Sequence, residues 1–186
     1  MRFTPLSLAS VALIGFWLIE LFLRQGSTAR SWRPTAMDRG STVAIVAAYL
    51  LVGIALSLQL RGPHLPWTVQ WAGAWLSIVG VVLRVVAFRT LGTSYARTLR
   101  VNANQELITH GIYRWIRHPG YASALLIWSG AAAASGAALA FLTVSLLLVG
   151  IYVYRMRVEE VMLSQFFGVK YQQYQARSWH LVPYVY

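Results

Sequence analysis

The chain is 186 residues long, one domain's worth, with 58 % apolar and only 11 % charged residues. An ordinary soluble domain would lack the polar residues to cover its surface, so this composition and a positive mean hydropathy indicate an integral membrane protein. No cysteine occurs, which excludes thiolate metal sites, disulfides and cysteine nucleophiles. The net charge of +11, from fifteen Arg and one Lys against five acids, fits nucleic acid, anionic lipid or membrane topology, and the placement of the bases favours topology.

Leu6 to Leu23 is an apolar run of eighteen residues with one acid, Glu20, enough to cross a hydrocarbon layer of about 30 Å. It is too long for the apolar part of a signal peptide, and no small-residue cleavage site follows it. Gln25 to Ser41 is a polar connection, Val43 to Leu60 a second span, and RGPHLP (Arg61 to Pro66) a tight turn. Trp67 to Phe88 is the third span, with Trp67 and Trp71 suited to the interface and Arg84 buried toward its far end. Arg89 to Gly120 is polar and contains LITHGIYRWIRHPGY, Leu107 to Tyr121, dense in side chains able to hold a ligand.

Tyr121 to Tyr154 then runs thirty-four residues without a charge. One helix of that length would extend roughly 51 Å, so the segment must turn back, with Ser135-Gly136 as the predicted turn. Beyond Tyr154 the spacing of Val158, Met162, Gln165 and Phe166 predicts an amphipathic helix that leaves the membrane and lies on its surface. The expected fold is thus all-α, about five transmembrane helices, the last two a hairpin, followed by a C-terminal amphipathic helix. It is a single membrane domain over 1–186, with two N-terminal spans in 1–66 and a core in 67–186. Bases crowd the first connection, segment 89–121 and segment 155–186, while only Arg2 and Arg61 fall opposite. The positive-inside rule puts those segments and the C-terminus in the cytoplasm and the N-terminus outside. The excess of Arg over Lys points to a GC-rich prokaryotic genome, hence an inner membrane.

Arg155 and Glu159 are four apart on one helical face, with Glu160 beside them. As a surface ion pair they would contribute a few tenths of a kcal/mol. In a chain with five acids, two adjacent ones at a membrane boundary favour function. Glu20 and Arg84 lie inside spans, where ionisable groups are costly, so they pair with each other or face a polar cavity. Pro119 forces His118 out of helical geometry just before a span. Four scattered His argue against zinc, and there is no P-loop, GxGxxG or GxSxG.

LITHGIYRWIRHPGY, the uncharged hairpin, RMRVEEVMLSQFFGVKYQQY and a closing Pro183 together resemble the isoprenylcysteine carboxyl methyltransferases and the related membrane phospholipid methyltransferases. The likeness covers roughly Leu83 to Pro183; the first two spans share only hydropathy. It implies transmembrane helices with a cytoplasmic pocket for S-adenosylmethionine. In that pocket Leu107, Gly111, Tyr113, Arg117, His118 and Tyr121 would line the cofactor. Glu159, with Glu160 beside it, would meet the cofactor's amino-acid end, Arg155 would reach toward the acceptor, and Arg84 would join the site. Gln105 stands where many eukaryotic members have His.

Methyl transfer from a sulfonium needs chiefly alignment of donor and acceptor in a dry site. A carboxylate acceptor is already ionised and needs only an Arg to orient it, whereas an amine would need Glu159, Glu160 or His118 as base. The expected partners are a hydrophobic or lipid-attached methyl acceptor and membrane lipids, with no nucleic acid and no metal. A phospholipid amine, a small hydrophobic thiol, a membrane reductase using NADPH and a non-catalytic transport subunit remain as alternatives.

Overall fold

The computed structural model describes residues 3–22, 39–57, 62–92 and 106–182. Six α-helices account for most of them: α1 (Pro5–Phe22), α2 (Ser41–Ser57), α3 (Trp67–Leu91), α4 (Pro119–Ala134), α5 (Ala138–Phe167) and α6 (Val169–Gln175). A four-residue 3-10 helix, Gly111–Arg114, precedes α4. Among the described residues there is no strand, which agrees with the all-α expectation. Among the described residues two helices, α3 and α5, are long and apolar enough to cross a membrane, while α1 and α2 are shorter apolar helices.

The predicted hairpin forms where expected. α4 ends at Ala134, and Gly136 takes φ 81°, a left-handed conformation that side-chain-bearing residues rarely adopt. The turn docks on the RGPHLP loop: Leu65 N donates to the Gly136 carbonyl (2.8 Å) and Ala138 N to that of Pro63 (3.2 Å).

α3 and α4 approach closely because small residues face each other. A Cβ added at Gly73 would lie 2.6 Å from the Gly130 carbonyl oxygen, and one at Gly80 2.7 Å from Ile127 Cγ1. Ser77 Oγ donates across the interface to the Ile127 carbonyl (3.0 Å). Phe16, Val52, Ile127, Trp128, Val144, Leu148 and Tyr152 bring α1, α2, α4 and α5 into one core.

One boundary differs from the expectation. The amphipathic stretch after Tyr154 is no separate helix; α5 runs without a break from Ala138 to Phe167, and Gly168, at φ 55°, ends it. Nothing at Tyr154 breaks a helix, so the change in polarity there marks a change of surroundings and not of backbone. Gln105, Pro183 and most bases of the first connection lie outside the described residues.

Candidate active site

The site is built where the start of α4 meets the polar end of α5. Pro119 occupies the first turn of α4, where its missing N–H costs nothing, and His118 just before it is non-helical (φ −122°, ψ 53°). That leaves the backbone of 115–118 able to pair sideways, and residues 179–180 fill the place. Trp179 N donates to the Trp115 carbonyl (2.9 Å), Arg117 N to that of Trp179 (2.8 Å) and His118 N to that of His180 (3.1 Å). The C-terminal segment is thereby strapped, parallel, along the polar stretch.

Glu160 is the hub beneath this strap. Its Oε1 accepts from Arg117 Nε (2.8 Å) and His118 Nε2 (3.1 Å); its Oε2 accepts from His180 Nε2 (2.9 Å) and Gln175 Nε2 (3.2 Å). Burial alone would raise this carboxyl's pKa, but the hydrogen bonds from His118 and Arg117, with their charge, bring it down to about 2. Arg117 also donates to the carbonyls of Ser178 and Gln175 and to His180 Nδ1 (2.8 Å). A guanidinium cannot accept, so His180 Nδ1 must be the acceptor and its Nε2 carries the proton given to Glu160. His180 is therefore neutral, in keeping with a pKa lowered by burial against the pull of Glu160.

Glu159, one residue earlier, is placed differently. Its Oε2 accepts from the Tyr121 hydroxyl at 2.7 Å, with His118 Nδ1 at 3.8 Å. No other described residue engages its Oε1, and its side chain keeps about a quarter of its exposure (26 %). Arg155 Nε donates to the same Tyr121 hydroxyl (3.2 Å), so Tyr121 stands between the Arg and Glu that share a helical face. Arg155 is nearly fully buried, and its Nη1 reaches Ser41 Oγ (2.5 Å) and Thr42 Oγ1 (3.1 Å) at the start of α2. The rings of His180, His118, Tyr121 and Tyr152 stack in series, with centroids 6.3, 5.6 and 5.2 Å apart.

The other predicted residues sit around this centre. Tyr113 is buried and its carbonyl accepts from the Tyr174 hydroxyl (2.6 Å). Gly111, at φ 59°, lies so close to the end of α3 that an added Cβ would be 2.9 Å from Thr90 Cγ2. Leu107 is partly buried. Arg84 stands one layer below: its Nη2 donates to Glu20 Oε1 (2.5 Å) and its Nη1 to the Gly120 carbonyl (2.7 Å), bracing the first turn of α4. Phe88 and Phe16 cover its guanidinium at 4.7 and 5.3 Å.

Sequence reasoning missed His180, Gln175, Ser178, Tyr171 and the pair Ser41 and Thr42. Tyr171 is fully buried, and its hydroxyl has no hydrogen-bond partner among the described residues. Burial and the charges of Glu160 and Glu159 raise its pKa. An open groove of about 570 Å³, lined by Arg157, Val161, Ser164 and Gln165 with Glu160 and Gln175 of the hub, includes neither Tyr121 nor Glu159. Among the described residues no group of three His, Asp or Glu is arranged to hold a metal ion.

Residues 68–170, which hold all but the first residue of α3, the polar stretch, the hairpin and both glutamates, match the family model described as phospholipid methyltransferase. The chain belongs to that family. Among curated relatives it is 35 % identical over 122 residues to a probable protein-S-isoprenylcysteine O-methyltransferase of Oryza sativa subsp. indica, covering 64 % of this chain and 63 % of the relative. It is 34 % identical over 122 residues to protein-S-isoprenylcysteine O-methyltransferase A of Arabidopsis thaliana, covering 64 % and 61 %. A solved structure of the eukaryotic intramembrane Ras methyltransferase, isoprenylcysteine carboxyl methyltransferase, superposes with a TM-score of 0.61 at 26 % identity, over 87 % of this chain and 58 % of that one. The chain thus spans a little over three fifths of the length of these curated relatives. The resemblance read from the two motif blocks is borne out. These relatives are eukaryotic and lend no support to the prokaryotic source suggested by the arginine bias.

Proposed function

We propose that this protein is an S-adenosylmethionine-dependent membrane methyltransferase that esterifies the carboxylate of a lipid-attached or otherwise hydrophobic acceptor. The observation that carries the reading is the contrast between two adjacent carboxylates: Glu160 is saturated by four donors, while Glu159 presents an oxygen at a partly open face. An ammonium is the natural complement of such an oxygen. The residues present fit the methyl donor. Glu159 would accept from its amino group, and the Tyr171 hydroxyl, without a hydrogen-bond partner among the described residues, would offer a further polar contact. Leu107, Gly111, Tyr113, His118 and Tyr121 would form the pocket wall, while Arg117 and Glu160 hold that wall together. When bound, S-adenosylmethionine supplies an electrophilic methyl group. The protein's part is to align it and exclude water, which needs no nucleophilic side chain.

The state of the carboxylates favours a carboxylate acceptor over an amine. Glu160, held at about 2, is a poor base, and Glu159 already accepts from Tyr121. The family description itself favours a second reading, methylation of a phospholipid amine. Five spans with segments 89–121 and 155–186 on the cytoplasmic side would let a lipid-borne acceptor enter sideways while the water-soluble donor enters from the cytoplasm. A labelled-methyl assay on detergent-purified protein decides between acceptors. Label transferred to farnesyl-cysteine and released by mild alkali supports the ester, whereas alkali-stable label on ethanolamine lipid establishes the amine reading.

A further inference from the structure

α1 and α2 lie outside the segment that matches the family, yet α2 sends two hydroxyls to the centre of the site. Ser41 is fully buried and Arg155 nearly so, and the Arg155 Nη1 donates to Ser41 Oγ and Thr42 Oγ1. The other arm of the guanidinium, Nε, donates to the Tyr121 hydroxyl. A phenol oxygen that accepts from Arg155 must send its own proton elsewhere, and Glu159 Oε2 is 2.7 Å away. Donor direction therefore runs one way along the chain, from Arg155 to Tyr121 to Glu159, with the start of α2 fixing the guanidinium that begins it.

We infer that Ser41 and Thr42 are positioning residues for the methyl-donor site. They orient Arg155 so that Tyr121 holds Glu159 by one oxygen and leaves the other turned toward the donor's ammonium. The inference rests on the proposed cofactor reading and adds to it that the pocket is set from α2. A buried arginine on a flexible stem has several arrangements available, and two hydroxyls at fixed backbone positions favour one of them. α2 and α5 are tied at the same end by a second bond, from the Tyr154 hydroxyl to the Arg39 carbonyl (2.8 Å), which does not enter this chain of donors. It provides the control, because it separates helix docking from orientation of Arg155.

The test is calorimetric titration of the full-length, detergent-purified protein with S-adenosylhomocysteine, alongside melting temperature. Ser41→Ala/Thr42→Val is expected to weaken binding by about tenfold, the scale of one charge-assisted hydrogen bond. Tyr121→Phe should do the same, and the triple variant should be no weaker than Tyr121→Phe, since both changes cut one chain. Tyr154→Phe should bind as the parent does. Should the double variant fail to fold, Thr42→Val alone carries the same comparison with Tyr121→Phe. The inference is overturned if the hydroxyl-deleted protein binds like the parent, if its effect multiplies with that of Tyr121→Phe, or if Tyr154→Phe weakens binding equally. A parent protein that binds no S-adenosylhomocysteine would remove the cofactor reading and this inference with it. A parent that binds beside an unaffected double variant removes the inference alone.

Discussion

Because each oxygen of Glu160 takes two donors while Glu159 takes one hydroxyl, changing either to glutamine should have opposite consequences. Glu160→Gln puts an amide nitrogen where donors from Arg117 and His118, or from His180 and Gln175, need an acceptor. Leaving such buried donors unpaired costs about 2–4 kcal/mol, visible as a lower melting temperature by tryptophan fluorescence. Glu159→Gln should disturb little of the fold but remove the charge proposed to face the donor's ammonium, so S-adenosylhomocysteine affinity should drop about tenfold or more. Equal melting losses in the two variants would contradict the division of roles. Acid should expose the same hub. The Glu160 carboxyl sits near 2 when folded against an ordinary 4.5, so its contribution to stability is complete above 4.5 and is lost as pH falls toward 2. His180, kept neutral in the fold, adds a loss that begins higher, as the unfolded chain takes up its proton below about 6.5. Melting temperature followed from pH 7 to 3 should therefore fall more steeply for the parent than for Glu160→Gln.

At the scale of the helices, Glu20 on α1 and Arg84 on α3 make the ion pair that holds up the first turn of α4. Removing one partner of a buried pair costs more than replacing both, so Glu20→Ala should destabilise by about 3–5 kcal/mol and Glu20→Ala/Arg84→Met by less. Thermal unfolding in detergent checks the order, and a double variant weaker than the single would contradict it. How far this was legible in the sequence depends on what sets each feature. The helices of α1 to α5, the turn at Ser135-Gly136 and the position of Arg84 and Glu20 inside apolar runs follow from hydropathy and local backbone rules. Where α5 ends does not, because polarity changes at Tyr154 whereas the backbone turns at Gly168. The pairing of Arg155 with Ser41 and Thr42 joins residues 114 and 113 apart and leaves no pattern in either segment. His180 was one of four scattered histidines, and its place is set by backbone pairing of 179–180 with 115–118, which has no side-chain signature.

Over the whole molecule, the polar stretch and the C-terminal strap are one structure: 115–118 pairs with 179–180, Tyr174 reaches the Tyr113 carbonyl, and Arg117 and Glu160 join both to α5. A ligand held between the polar stretch and Glu159 would bind the strapped state and not the opened one. Binding therefore adds RT ln(1 + [L]/Kd) to the cost of opening, about 2.7 kcal/mol at a hundredfold excess over Kd. Arg177 is exposed within the strap and is a trypsin site whose cleavage requires local release of 174–180. Where opening and closing are fast relative to cleavage, the rate follows the opened population. Saturating S-adenosylhomocysteine should then slow tryptic cleavage at Arg177 by about a hundredfold. In Glu160→Gln the strap has lost its hub, so cleavage should be fast without ligand and slowed less with it. Mass spectrometry of timed digests reads both rates, and cleavage at Arg177 that ignores the ligand would mean that the strap opens without disturbing the site.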